Sequence, residues 1–190
     1  MSGVLLVASD PSELKRLDDR WQKCVCGVGP IMAALHTAAA IEKYKPDVVV
    51  SVGSAGSLGR FSRGDVVSFS SVVTPDQDIT CMHVPLGSTI GPDRATTGEL
   101  FTLDRKSGYI LYSSGRFSNE VLPSHTILRA DAADMEAYGV GLAAKYLGTG
   151  FYAVKLITDI VGEKTKVGDV AFSYREGRER LGAFLSSILS

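Results

Sequence analysis

Short apolar runs alternate with amphipathic stretches along most of the chain. Val4-Leu5-Leu6-Val7-Ala8 is continuously apolar over a strand's length, which predicts a first strand buried on both faces. Pro11 through about Gln22 reads as a helix: Leu14 and Leu17 share a face, Trp21 continues it at i+4, and Pro11 suits the first turn. Residues 23–27 read as a second short strand that runs into Gly27-Val28-Gly29-Pro30. The Ala-rich stretch from about Ile31 to Tyr44 reads as a long helix, stopped by Pro46. Asp47 to Val52 has the apolar residues on both faces that a central parallel strand needs. Further strands are expected at Gly64 to Phe69, Tyr109 to Tyr112 and Phe151 to Ile157, with helices from Asp134 to about Tyr146 and from about Phe172 to Leu189. Residues 74–107 are polar and rich in Thr, Gly and Pro, and their pattern assigns no element. Strand and helix alternate with no repeat and no linker. The expectation is one domain over residues 1–190, an α/β fold with a three-layer α/β/α sandwich around a mainly parallel mixed sheet.

Composition narrows the function classes. The chain has 190 residues, 45 % hydrophobic and 22 % charged, with a formal net charge of −1. That is the balance of a globular domain, and it supplies no basic stripe for nucleic acid. The apolar runs are too short to span a bilayer, so no membrane partner is expected. No basic segment precedes the first apolar run, and Asp10 and Pro11 follow it at once, which reads as a strand and not as a signal peptide. Cys24 and Cys26 lie two apart, on the same face of a strand, and there is no CxxC, so the expectation is a reduced, cytoplasmic protein. His36, His83 and His125 are scattered without ligand spacing, and no metal site is expected. Gly27-Val28-Gly29 lacks the third glycine of a dinucleotide fingerprint, and no Lys-Ser/Thr follows Gly53 at phosphate-loop spacing. No cofactor is expected.

Three segments at strand ends remain as candidates for chemistry, each with a plain alternative. Gly53-Ser54-Ala55-Gly56 is either a site where a ligand meets exposed amides or a tight connection. Asp134-Met135-Glu136 opens a helix, where acids are favoured by the dipole and Asp134 could serve only as a cap. Thr158-Asp159 ends a central strand, well placed for an acid, although Asp is also common in turns.

Taken in order, Gly27-Val28-Gly29-Pro30 with Ala33-Ala34-Leu35, Lys45-Pro46-Asp47-Val48-Val49, Gly53-Ser54-Ala55-Gly56, Gly64-Asp65-Val66-Val67, Asp134-Met135-Glu136-Ala137 and Val154-Lys155-Leu156-Ile157-Thr158-Asp159 resemble the nucleoside phosphorylase/nucleosidase superfamily. The resemblance covers nearly the whole chain and is closest to the methylthioadenosine/S-adenosylhomocysteine nucleosidase branch. It implies a nucleoside phosphorylase-like fold and cleavage of a purine N-glycosidic bond. Asp159 would protonate purine N7 as the base departs, oriented by Thr158. Met135 would pack on the ribose, while Glu136 would bind its hydroxyls and favour its growing positive charge. Phe117 would stack on the purine, with the backbone of Ser118 near the base, and Ser54, Ala55 and Gly56 would line the ribose and the nucleophile.

Two departures from the family follow. The nucleosidase branch has a water-activating glutamate just after the first strand. Direct counting puts Ser12 there; one inserted residue puts Glu13 there, with Asp10 the other choice, and Glu13 is favoured. The β-hairpin usual between the first helix and Gly27 has no room, which would leave the sugar end more open. The family's phosphorylases clamp phosphate with arginines, one just before the Gly-Ser turn. Here Val50-Ser51-Val52 occupies that stretch, and the loop from Ala8 to Leu14 has no arginine, so water is the expected nucleophile unless Arg60, Arg63 or a partner chain supplies the clamp. The resemblance also implies a homodimer, for which the small residues Ala33-Ala34 and Ala38-Ala39-Ala40 would allow close helix packing, although the same stretch could equally pack on its own sheet. Phosphorolysis, hydrolysis of a futalosine-type nucleoside, and nucleoside binding without turnover are the alternatives.

Overall fold

A computed structural model describes residues 3–91, 94–164 and 167–189. In chain order the elements are β1 (Val4–Ala8), α1 (Pro11–Leu14), β2 (Gln22–Val25), α2 (Pro30–Tyr44), β3 (Val48–Ser51), β4 (Ser54–Ser57), β5 (Val66–Phe69), β6 (Ser71–Val73), β7 (Thr89–Ile90), β8 (Thr96–Thr97), β9 (Leu100–Phe101), β10 (Ile110–Ser113), α3 (Pro123–Ile127), β11 (Ala132–Asp134), α4 (Ala137–Tyr146), β12 (Gly150–Ile160) and α5 (Val167–Ile188).

The main sheet runs in the order β2-β1-β3-β12-β4-β11-β10-β6-β9, with β5 also on β12; β7 and β8 form a separate hairpin. Most pairings are parallel, while β4–β11, β5–β12 and β6–β9 are antiparallel, which is the mainly parallel mixed sheet expected. Period-two alternation sorts the side chains into two cores. Leu5, Val7, Val49, Phe151, Ala153 and Ile157 pack with Ala33, Ala40 and Ile41 of α2 and Ala137, Val140 and Ala144 of α4. Leu6, Val50, Val154 and Leu156 face the other way, onto Leu14, Leu17, Trp21 and Tyr174, Leu181 and Leu185 of α5. Helices therefore cover both faces, giving three layers.

The helix expected from Pro11 to Gln22 stops at Leu14, because Lys15 is extended and Arg16 is left-handed at φ +67°. Its apolar spacing still marks burial: Leu14, Leu17 and Trp21 are in the core, the last two from a loop. The helix expected from Asp134 begins at Ala137, since Asp134 ends β11. Ser54 to Ser57, expected as a turn, is a strand lodged between β12 and β11. The last strand runs on to Ile160, past a register shift between Ile157 and Asp159. No helix among the described residues is long and apolar enough to cross a membrane.

Candidate active site

A cavity of about 700 Å³ opens at the carboxyl ends of β1 and β12 and along β4, where ligands sit in open parallel sheets. It is lined by Glu13, Ser54, Ala55, Gly56, Phe117, Ser118, Met135, Glu136 and Asp159, all singled out from the sequence. Thr158 does not line it. Its buried hydroxyl donates to Asp159 Oδ1 at 2.8 Å, which fixes the carboxyl from behind.

Glu13 and Asp159 lie against the two ends of one short segment, Gly53 to Gly56. Glu13 is 8 % exposed. Its Oε2 accepts from Ser9 N at 3.1 Å and Ser9 Oγ at 2.8 Å, and its Oε1 from Ser54 N at 2.9 Å and Ser54 Oγ at 3.2 Å. A Cβ on Gly53 would lie 2.8 Å from Glu13 Oε1, and Gly53 has φ +127°, so both space and backbone demand glycine. A Cβ on Gly56 would lie 2.8 Å from Asp159 Oδ2. The glycines of Gly53-Ser54-Ala55-Gly56 thus make room for two carboxylates. Asp10 is engaged elsewhere: it caps α1, accepting from Ser12 N at 2.8 Å.

Asp159 is 5 % exposed, and burial raises its pKa against the opposing pull of the Thr158 hydroxyl and the charge of Arg63. That direction favours the protonated form, the form a general acid uses. Glu136 Oε1 accepts from Gly29 N at 3.0 Å. Burial first, then the Asp134 charge, push Glu136 up to about 7, while Lys155 and the Gly29 amide pull the other way.

Behind these groups lies a buried ion pair. Lys155 Nζ donates to Asp134 Oδ2 at 2.8 Å and to Ser51 Oγ at 3.0 Å and Val52 O at 3.2 Å. Burial opposes the lysine's charge, but Asp134 and Glu136 outweigh it and hold the pKa above the usual lysine value. Asp134 Oδ2 also accepts from Ala137 N at 3.0 Å, so one carboxylate both pairs the lysine and starts the helix behind Met135-Glu136. Removing either charge alone would strand the other, at a cost of about 3–5 kcal/mol. The sequence carried a signal for this pair: a lysine inside the apolar run Val154 to Ile157 needs a buried acid.

Asp76 carried no such signal. It accepts from Ser114 Oγ at 2.8 Å and Gly115 N at 2.7 Å, holding the turn that leads to Phe117. Arg60 and Arg63 do not line the cavity; they pair with Asp131 and Glu163. Arg175 and Arg178 of α5 do line it, with Tyr174. Their distance along the chain from every strand-end motif hid them. Among the described residues, no group of three His, Cys, Asp or Glu side chains is disposed to hold a metal ion.

Residues 23–190 match the family described as the phosphorylase superfamily. The chain belongs to the phosphorylase superfamily. Within the superfamily it is similar to the 5′-methylthioadenosine/S-adenosylhomocysteine nucleosidase of Geobacillus sp. (strain WCH70), at 26 % identity over 183 residues, covering 86 % of this chain and 78 % of the relative. Two solved structures show how closely this member keeps the superfamily fold. The Helicobacter pylori nucleosidase of the same name, complexed with a substituted pyrrolidin-3-ol, superposes with a TM-score of 0.81 at 15 % identity, over 98 % of this chain and 97 % of that one. The Colwellia psychrerythraea nucleosidase, in complex with adenine, gives 0.75 at 19 % identity, over 95 % and 90 %.

Proposed function

We propose that this chain is a purine nucleosidase that hydrolyses the N-glycosidic bond of a 5′-modified adenosine such as methylthioadenosine or S-adenosylhomocysteine. One observation carries the reading: two carboxylates with separate supports, Glu13 and Asp159, sit against the two glycines of one four-residue segment in a single cavity. Gly53 and Gly56 are three residues apart, about 10 Å in extended chain, a span that accommodates a nucleoside's reacting bond between a base and an acid. The names of the superfamily relatives support the same substrate class.

In this mechanism Asp159 gives its proton to purine N7 as the C1′–N9 bond breaks and the bonding pair leaves with the base. Glu13 takes a proton from a water whose oxygen forms the new bond to C1′. The products are a free purine and a ribose with a hydroxyl at C1′. Glu136 binds ribose hydroxyls and offsets positive charge on the sugar, Met135 packs on its face, Phe117 stacks on the base, and Ser118 meets the base edge. Ser54, Ala55 and Gly56 form the floor.

We further propose a homodimer. Ile31 and Leu35 lie one helical turn apart on α2 and are 82 % and 62 % exposed, next to the half-exposed Met32 and the exposed Val28 that also lines the cavity. Of the alanines named for an interface, Ala33 and Ala40 are buried beside α4, whose Gly139 leaves room for the Pro30 carbonyl, Ala34 and Ala38 are half-buried, and Ala39 is exposed.

The test is purine release from methylthioadenosine and S-adenosylhomocysteine, with and without phosphate, by the wild type and Asp159→Asn. Phosphate-independent release that falls by about two to four orders of magnitude in the variant is expected. Unchanged turnover in Asp159→Asn, or release only with phosphate, would refute this mechanism.

A further inference from the structure

Among the described residues, the cavity is lined by five carboxylates (Asp10, Glu13, Asp134, Glu136 and Asp159) and two cations, Arg175 and Arg178. Neither arginine has a part in bond cleavage as derived above. Both stand on α5, and their neighbours locate them. The Tyr174 hydroxyl donates to the Glu13 carbonyl oxygen at 3.0 Å. One turn further along the same stripe comes Arg178, and one turn beyond that Gly182, whose Cβ position lies 3.7 Å from Leu17. Arg178 is therefore carried over α1, at the wall that Ser9, Asp10 and Ser12 also form. In the proposed function this is the sugar end of the cavity, because Glu13 is held there between Ser9 and Ser54, and Asp159, Phe117 and Ser118 form the base end.

The Arg178 guanidinium has an unmet donor. Its Nε is buried and has no hydrogen-bond partner among the described residues. Asp10, which lines the same wall, already serves as the α1 cap. A buried donor without an acceptor is costly, and a carboxylate or phosphate oxygen meets a guanidinium in a two-bond fork.

We propose that Arg178, with Arg175 beside it, forms a subsite for an anionic group carried on the 5′ substituent of the nucleoside. The inference rests on the nucleosidase reading and names the kind of substrate that reading leaves open. A nucleoside lying with its base at Asp159 and its ribose at Glu136 directs its 5′ end toward the wall after β1. Free phosphate as the nucleophile is disfavoured, because the Glu13 carboxylate stands at the nucleophile's place and repels it.

The test compares kcat/KM for adenine release from S-adenosylhomocysteine, whose tail ends in a carboxylate, from adenosine 5′-monophosphate, and from methylthioadenosine, whose tail is uncharged. In Arg178→Met the ratio for an anionic substrate over methylthioadenosine is expected to fall about tenfold or more, the loss of one charge-assisted hydrogen bond. Arg178→Lys is expected to recover part of it and guards against a variant that fails to fold. A larger fall with S-adenosylhomocysteine assigns the subsite to an amino-acid tail; a larger fall with the monophosphate assigns it to a nucleotide. Unchanged ratios overturn the inference while leaving the nucleosidase reading intact, and phosphate-stimulated turnover that disappears in Arg178→Met overturns it in favour of a nucleophile clamp. Should the wild type release no base at all, the nucleosidase reading fails and calorimetry decides the subsite. Tighter binding of S-adenosylhomocysteine than of methylthioadenosine, lost in Arg178→Met, supports it; equal binding overturns it.

Discussion

Glu13 is reached by counting one inserted residue after the first strand, and its surroundings make that assignment testable against its neighbours. Four donors from Ser9 and Ser54 converge on its carboxylate, while Asp10 spends its side chain on the start of α1. Glu13→Gln is expected to cost about two orders of magnitude or more in turnover, and Asp10→Asn and Ser12→Ala far less. Steady-state rates of the three variants check this, and a dead Asp10→Asn beside an active Glu13→Gln would reverse the roles. Glu136 offers a second check, through pH. Its pKa lies near 7 in the folded chain against an ordinary 4.5, so the folded state holds more protons than the unfolded one between these values. From this group alone, stability falls as pH rises from about 4.5 to about 7. Glu136→Gln removes that slope, so melting temperatures of variant and wild type are expected to diverge in the variant's favour across this window. A difference that stays constant with pH would contradict the shift. The residues legible in the sequence were those whose chemistry is stated by neighbours in the chain, such as Thr158 beside Asp159. Arg178 was not legible, because only the path of α5 over α1 brings it to the wall.

At the level of elements, hydrophobic period located burial better than conformation. Leu14, Leu17 and Trp21 are core residues, as their spacing required, yet only the first stands on a helix. Val4 to Ala8 and Asp47 to Val52 were legible because a strand buried on both faces leaves a continuous apolar run. β4 was not, since Ser-Ala-Gly-Ser has the composition of a turn and becomes a strand only by lying between β12 and β11. The connection before Phe117 is fixed in the same non-local way, by Asp76 reaching Ser114 and Gly115. Asp76→Ala is expected to loosen this turn and raise KM by about tenfold, the scale of one hydrogen bond to a charged group, with a smaller effect on kcat. Kinetics across a substrate range check it; a loss confined to kcat would mean that the turn serves chemistry and not base recognition.

For the molecule as a whole, the exposed apolar stripe of α2 bears on assembly. Leu35→Glu places a charge on that stripe and is expected to shift the dimer toward monomer, read by light scattering at micromolar concentration. A wild type already monomeric there would remove the dimer from the proposal. The layered architecture was legible from the alternation of strand and helix, but the position of β12 was not, because strand order leaves no mark on local composition. That position has a consequence for synthesis. β3 and β4 are neighbours in the chain, but β12 is inserted between them in the sheet. Until residues 150–160 leave the ribosome, the two halves of the sheet have no shared strand, and their pairing waits on contacts about a hundred residues apart. Such late, long-range closure slows folding. It also delays the arrival of Asp159 in the cavity, so a nascent chain would hold the proposed base, Glu13, well before its proposed acid.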